Sequence, residues 1–207
     1  GDRSRASCNR CHNSEGYIAY IEGKPAFDFV NPSVIGCTTC HSKHGTFDFK
    51  NDGNDFALRS MGPVTLDASN DSYVIDYGNS SNNCVSCHQP RSKAPVDDGT
   101  GMYLQTSTRF YPHYGPQSTF LEGIQGAMID GGTTAYPGAK AATHRTGASC
   151  TTCHMGAKSD DNTKGLHSFN INMANCNITC HQSGVPTEVG GLAAGFGVWR
   201  ARIIGGR

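Results

Sequence analysis

The chain lacks most of what holds an ordinary globular or membrane protein together. Only 36% of its 207 residues are hydrophobic, it has one Trp, and its mean hydropathy is −0.45. Such a composition is poor material for a core built from side chains. No stretch is long and apolar enough to span a bilayer as a helix. The best candidate, Leu192 to Ile204, is short and interrupted by Arg200 and Arg202. Net charge is also missing: 17 Lys and Arg balance 17 Asp and Glu, which offers nothing to nucleic acid or to an anionic membrane. The sequence does not open on Met, which fits removal of a signal peptide.

What the chain does have is cysteine, ten of them, in five local pairs. Four pairs share one pattern: Cys8-Asn-Arg-Cys11-His12, Cys37-Thr-Thr-Cys40-His41, Cys84-Val-Ser-Cys87-His88 and Cys150-Thr-Thr-Cys153-His154. The fifth, Cys176-Asn-Ile-Thr-Cys180-His181, has one more residue between its cysteines. Cys-x-x-Cys also serves thiol–disulfide exchange and half of many zinc sites. Four copies with His directly after the second Cys point instead to c-type haem. There two thiols form thioethers to the macrocycle and the next imidazole binds the iron. Paired cysteines in this number place the protein in an oxidising compartment: secreted, extracellular or at the cell surface, with the periplasm as the alternative.

Histidine supplies the count that organises the rest. Of nine, five lie in the motifs and four outside: His44, His113, His144 and His167. A low-spin electron-transfer haem takes two axial ligands. His12, His41, His88 and His154 are the proximal set, and the four outside residues match the remaining iron faces one for one. His44 lies three residues after His41 on one local turn, so it is expected to ligate a neighbouring haem. This count favours four haems and leaves His181 over. A fifth haem on Cys176 and Cys180 exceeds the supply by one. Its iron would then be open or take Met61, Met102, Met128 or Met173, with a Cys176–Cys180 disulfide as the other option. Met155, beside a proximal His, reads as packing.

Four haems leave about 50 residues for each macrocycle, so stacked porphyrins are expected to be the core of a single domain, 1–207. The fold class expected is a mostly irregular multihaem cytochrome with a few short helices and small β-hairpins. Tyr17 to Ile35 reads as extended pieces, broken by Gly23, Pro25 and Pro32. Val64-Thr65-Leu66 and Tyr73 to Tyr77 read as a hairpin. Ser118 to Met128 reads as a helix stopped by Gly131-Gly132.

The run Cys37 to Gly45, with regular motifs in a Gly-rich chain of this size, resembles the extracellular multihaem cytochromes of metal-reducing bacteria, in particular the outer-membrane type that polymerises into nanowires. The section from Cys150 to His181 is similar to a paired arrangement (motif, His-x-aromatic, motif) found widely among multihaem cytochromes. The resemblance implies a loop-rich subunit, haems in alternating parallel and T-shaped pairs, and bis-His coordination with one distal His donated by the adjacent copy of the chain. It also implies redox proteins or extracellular metal oxides as partners, and no catalytic residue. Two alternatives stay open: a multihaem oxidoreductase of the nitrite or hydroxylamine type with one open haem, and a soluble periplasmic electron shuttle.

Overall fold

The computed structural model describes residues 3–42, 56–69, 71–93, 117–125 and 137–179. His44, His113, Cys180, His181 and the segment from Gly184 onward lie outside them, as do Met102 and Met128. The chain divides into two compact units, Gly1–Arg145 and Thr146–Arg207. Among the described residues, no helix is long and apolar enough to cross a membrane.

The first unit begins with a two-residue strand β1 (Arg3–Ser4), then α1 (Ala6–His12) and α2 (Ser14–Ile21). One residue, Asn13, both ends α1 and starts α2. Its backbone N–H closes α1 on the Asn9 carbonyl at 3.1 Å, and its side-chain oxygen accepts from Gly16 N at 2.7 Å. That is N-cap chemistry, a side chain satisfying an amide the helix leaves open. Glu15 adds negative charge to the first turn, where the helix dipole favours it. The Glu15 carboxylate also accepts from Ser33 N and Ser33 Oγ, which tether the loop ahead of the second motif and hold the carboxyl below its usual range. Tyr17 to Ile21 is therefore helical, not extended as the sequence suggested. A run of five apolar residues does not fix its own period; the Asn13 cap and the buried face Ser14, Gly16, Tyr17 and Ala19 do.

The two helices cross very closely. A Cβ built on Gly16 would stand 2.4 Å from Asn9 backbone and side-chain carbon, so only glycine permits the approach. Strand β2 (Phe29–Val30) pairs antiparallel with β1, and α3 (Cys37–Cys40) follows.

Strands β3 (Val64–Thr65) and β4 (Val74–Ile75) form the expected hairpin, with Val64 opposite Ile75. Beyond them stand α4 (Ser81–Val85) and α5 (Gln117–Glu122). The buried cluster here is small: Val64, Leu66, Ile75 and Val85, with Tyr73, Tyr77 and Ile124 packed against it. The helix α5 stops at Gly123, whose φ of +75° suits a residue without a Cβ, and thus earlier than the sequence suggested. Under the hairpin, the fully buried Glu122 pairs with Arg145 and accepts from Tyr73 Oη at 3.0 Å. Arg145 also donates to the Asp76 carbonyl at 2.7 Å and stacks 4.2 Å over the Tyr77 ring.

Helix α6 (Thr143–Gly147) carries His144. The second unit holds α7 (Cys150–His154), a single 3₁₀ turn (Leu166–Ser168) and α8 (Ala174–Thr179). Gly156 lets α8 approach: a Cβ there would meet the Asn175 side chain at 2.3 Å.

Candidate haem-attachment sites

Each regular motif folds into one helical turn. The His41 and His88 amides bond the Cys37 and Cys84 carbonyls at 2.9 Å, and the first and last motifs lie wholly within α1 and α7. A turn of this kind sets the two thiols three residues apart on one face with the imidazole directly after them. In the first three motifs a residue between the cysteines anchors the turn in the protein. Asn9, Thr39, Val85 and Ser86 are buried, whereas Cys37 and the histidines 12, 88 and 154 are exposed and the other motif cysteines half-buried.

The two Cys-Thr-Thr-Cys-His motifs are built alike. Thr39 Oγ1 accepts from Gly36 N at 2.9 Å, and Thr152 Oγ1 accepts from Ser149 N at 3.1 Å, so each second threonine closes the start of its own turn. Fifteen residues after each motif histidine comes a phenylalanine in the left-handed region, Phe56 at φ 56° and Phe169 at φ 55°. His41 Nδ1 lies 2.7 Å from the Phe56 carbonyl oxygen and His154 Nδ1 2.8 Å from that of Phe169. An imidazole that donates through Nδ1 carries its lone pair on Nε2, the atom a metal takes. In the third motif Gln117 Oε1 stands 3.4 Å from His88 Nδ1, and Ser118 N donates to the His88 carbonyl.

Helix α2 ties three motifs together. Ser14 Oγ lies 2.6 Å from Thr39 Oγ1 inside the second motif, and the Tyr17 hydroxyl donates to Asn83, next to Cys84 in the third. Burial, and then the nearby Cys87, Cys40 and Cys84 thiols, push the Tyr17 phenol above its ordinary value. The first motif lies on α1, packed against α2.

The second cysteines of the first and third motifs meet. Cys11 Sγ donates to the Cys87 carbonyl at 3.7 Å, and Cys87 Sγ donates to the Arg10 carbonyl at 3.4 Å. With both as free thiols, the interaction with Cys87, against the opposing effect of burial and with help from Arg10, lowers the Cys11 thiol below its ordinary value. The same interaction, and burial, push Cys87 up. In the second unit burial raises the Cys153 thiol, and the neighbouring Cys176 and Cys150 raise it further. The fourth motif and the start of the irregular one therefore lie together.

The chain matches no family model, no curated protein and no solved structure.

The donor set fits a covalently held haem. Two thiols and one Nδ1-tethered imidazole on a single turn are the protein's share of such a site. Apolar side chains also stand exposed near the motifs in sequence: Phe27, Val34 and Ile35 ahead of Cys37, Phe56 and Phe169 at the two tethers, and Leu166 beside His167. Val34 is 82% exposed and Phe169 55%, surface that a flat apolar macrocycle would cover. Among the described residues, no three His, Cys, Asp or Glu side chains are grouped to hold a bare metal ion. A porphyrin supplies four equatorial nitrogens itself and asks the chain only for axial ligands.

Of the expected distal ligands, His144 and His167 are both exposed. The His167 ring stands edge-on to Phe169 at 6.0 Å, in the same loop that tethers His154. Sequence reasoning missed Phe56, Gln117, Thr39, Thr152 and Asn9, and noted Phe169 only as the aromatic two residues after His167. Of the missed residues only the threonines had a visible signal, the repeated Thr-Thr between cysteines.

Proposed function

We propose that the chain is an extracellular electron-transfer cytochrome that carries covalent haem c at its four regular motifs. The observation that carries this reading is the repeated construction of the Cys37–His41 and Cys150–His154 turns, each with its imidazole tethered through Nδ1 to a phenylalanine carbonyl. Each bound haem supplies one-electron chemistry at iron. The chain's share is to hold it: Cys8 and Cys11, Cys37 and Cys40, Cys84 and Cys87, and Cys150 and Cys153 provide the sulfurs, and His12, His41, His88 and His154 the proximal nitrogens. The distal nitrogens come from His44, His113, His144 and His167, one of them donated across a contact between copies of the chain in a filament. Held by two histidines, each haem would supply electron transfer and leave no open position for a substrate, so on this reading the protein is not an enzyme.

Intact mass and pyridine haemochrome analysis of the purified holoprotein test this reading. Four haems per chain are expected, or five if Cys176, Cys180 and His181 also take part. Low-spin ferric EPR signals and filaments in electron micrographs are expected with them. A colourless, compactly folded chain overturns the cytochrome; dispersed particles overturn the filament.

A further inference from the structure

We propose that the haems attached at Cys8–His12 and Cys84–His88 are immediate neighbours, so that the order of the electron path departs from the order of motifs along the chain. This rests on the cytochrome reading and goes beyond it, because the spacing of the motifs along the chain does not say which sites adjoin. Each of the two thiols reaches into the backbone of the other's turn: Cys11 Sγ to the Cys87 carbonyl at 3.7 Å and Cys87 Sγ to the Arg10 carbonyl at 3.4 Å. The contact is reciprocal, the mark of two like turns packed against each other.

Three further restraints hold it in place. Tyr17, buried in α2, is bonded to Asn83 at the head of the third motif, while α2 itself is locked against α1 by the Gly16–Asn9 approach. Val85 inserts into the apolar cluster beneath the hairpin. Arg10 pairs with Asp67 on one side and stacks 4.3 Å over Tyr20 on the other. The first and third turns are thus fixed from both sides, although Cys11 and Cys87 are 76 positions apart in the sequence. The second motif reaches the group differently, through the Ser14–Thr39 hydroxyl contact on α2. Haems held through these two cysteines would therefore be attached at one place in the fold, since each sulfur lies against the other's turn.

A cryo-EM structure of the holoprotein tests the pairing directly. Within one chain, the iron on His12 should have the iron on His88 as its nearest neighbour. A nearest neighbour on His41 overturns the pairing and leaves the cytochrome reading standing; a chain with no covalent haem overturns that reading as well. Soret circular dichroism gives a second readout. Removing the first haem (C8A/C11A) or the third (C84A/C87A) should abolish the same exciton couplet, and removing both should take away no more of it. Additive losses overturn the pairing.

Discussion

His154 Nδ1 and the Phe169 carbonyl oxygen lie 2.8 Å apart, and the same bond joins His41 to Phe56 across the same fifteen residues. A carbonyl can be aimed this way because the phenylalanine adopts φ 55°, a conformation that costs an L-residue about 1–2 kcal/mol. The same backbone conformation recurs at equivalent positions after the two motifs, and at each it goes with a carbonyl that meets the imidazole.

The backbone, not the ring, therefore carries the contact, and substitution at Phe169 should separate the two. Glycine adopts the left-handed region freely, so Phe169→Gly should keep the tether and leave in place the midpoint potential of the haem proposed at His154. Proline cannot adopt it, and Phe169→Pro also removes the amide that closes on the Leu166 carbonyl. With the acceptor gone, the imidazole becomes a weaker donor to iron and the potential of that haem alone should rise. Spectroelectrochemical titration of the two variants checks this.

Gly16→Ala should damage the first unit out of proportion to the methyl it adds. The new Cβ would need the space of Asn9, whose Oδ1 accepts from Asn13 and whose amide donates to the Phe27 carbonyl. Overpacking of this kind costs about 1–3 kcal/mol, and here it would also pry α1 from α2. Thermal unfolding should fall by several degrees, and haem occupancy at Cys8–Cys11 should fall with it. An unchanged melting temperature would show that the crossing is looser than described.

Tyr17→Phe keeps the buried ring and removes only its hydroxyl, leaving the Asn83 oxygen without that donor. An unsatisfied buried acceptor costs about 1–3 kcal/mol. Chemical denaturation should show a loss in that range. The exciton signal of the first and third haems should weaken in the same variant, since Asn83 leads into Cys84.

How much of this was legible beforehand differs by kind of feature. The four Cys-x-x-Cys-His runs are plain in the sequence, and the fixed spacing that thioether chemistry needs is what supports the attachment role proposed for them. The β3–β4 hairpin was legible from alternation around Val64 and Val74. The helix at Tyr17 was not, since its decisive residue is a cap outside the apolar run. The tethers at Phe56 and Phe169 were invisible for a deeper reason: a carbonyl oxygen is present at every position, and only the backbone conformation says which one is used. The meeting of Cys11 with Cys87 depends on tertiary packing that no local pattern encodes.

The Asp161 turn gives an acid-side prediction. Its carboxylate accepts from Ser159 Oγ at 2.6 Å and from the Thr163 amide and hydroxyl, which together pull its pKa to about 2. A depressed carboxyl stabilises the folded turn above its unfolded value and loses that contribution as pH falls through the folded one. The turn should therefore stay intact at pH 4 and loosen toward pH 2, with Asp161→Asn loosened throughout. The Thr163 amide shift in an NMR titration reports it.

The buried Glu122 makes the most demanding prediction. It has no exposure to water, and its compensation is complete: Arg145 donates to one oxygen and Tyr73 to the other. Glu122→Gln removes the countercharge and strands the Arg145 guanidinium, which is largely buried. Breaking such a pair costs about 3–5 kcal/mol, whereas replacing both partners with apolar residues often costs little. Glu122→Gln should therefore destabilise the first unit strongly, and Glu122→Leu combined with Arg145→Met should recover much of the loss. Tyr73 supplies an independent readout. Burial first, and then its bond to Glu122, push its phenol up to about 12 from an ordinary 10. A raised phenol stabilises the fold fully below pH 10 and loses that contribution as pH climbs through 12. In Glu122→Gln the Tyr73 ionisation, followed by ultraviolet absorbance, should move back toward 10 and alkaline unfolding should begin earlier. A Tyr73 titration that stays near 12 in the variant would mean that burial alone sets it, and that the carboxylate holds the hairpin only through Arg145.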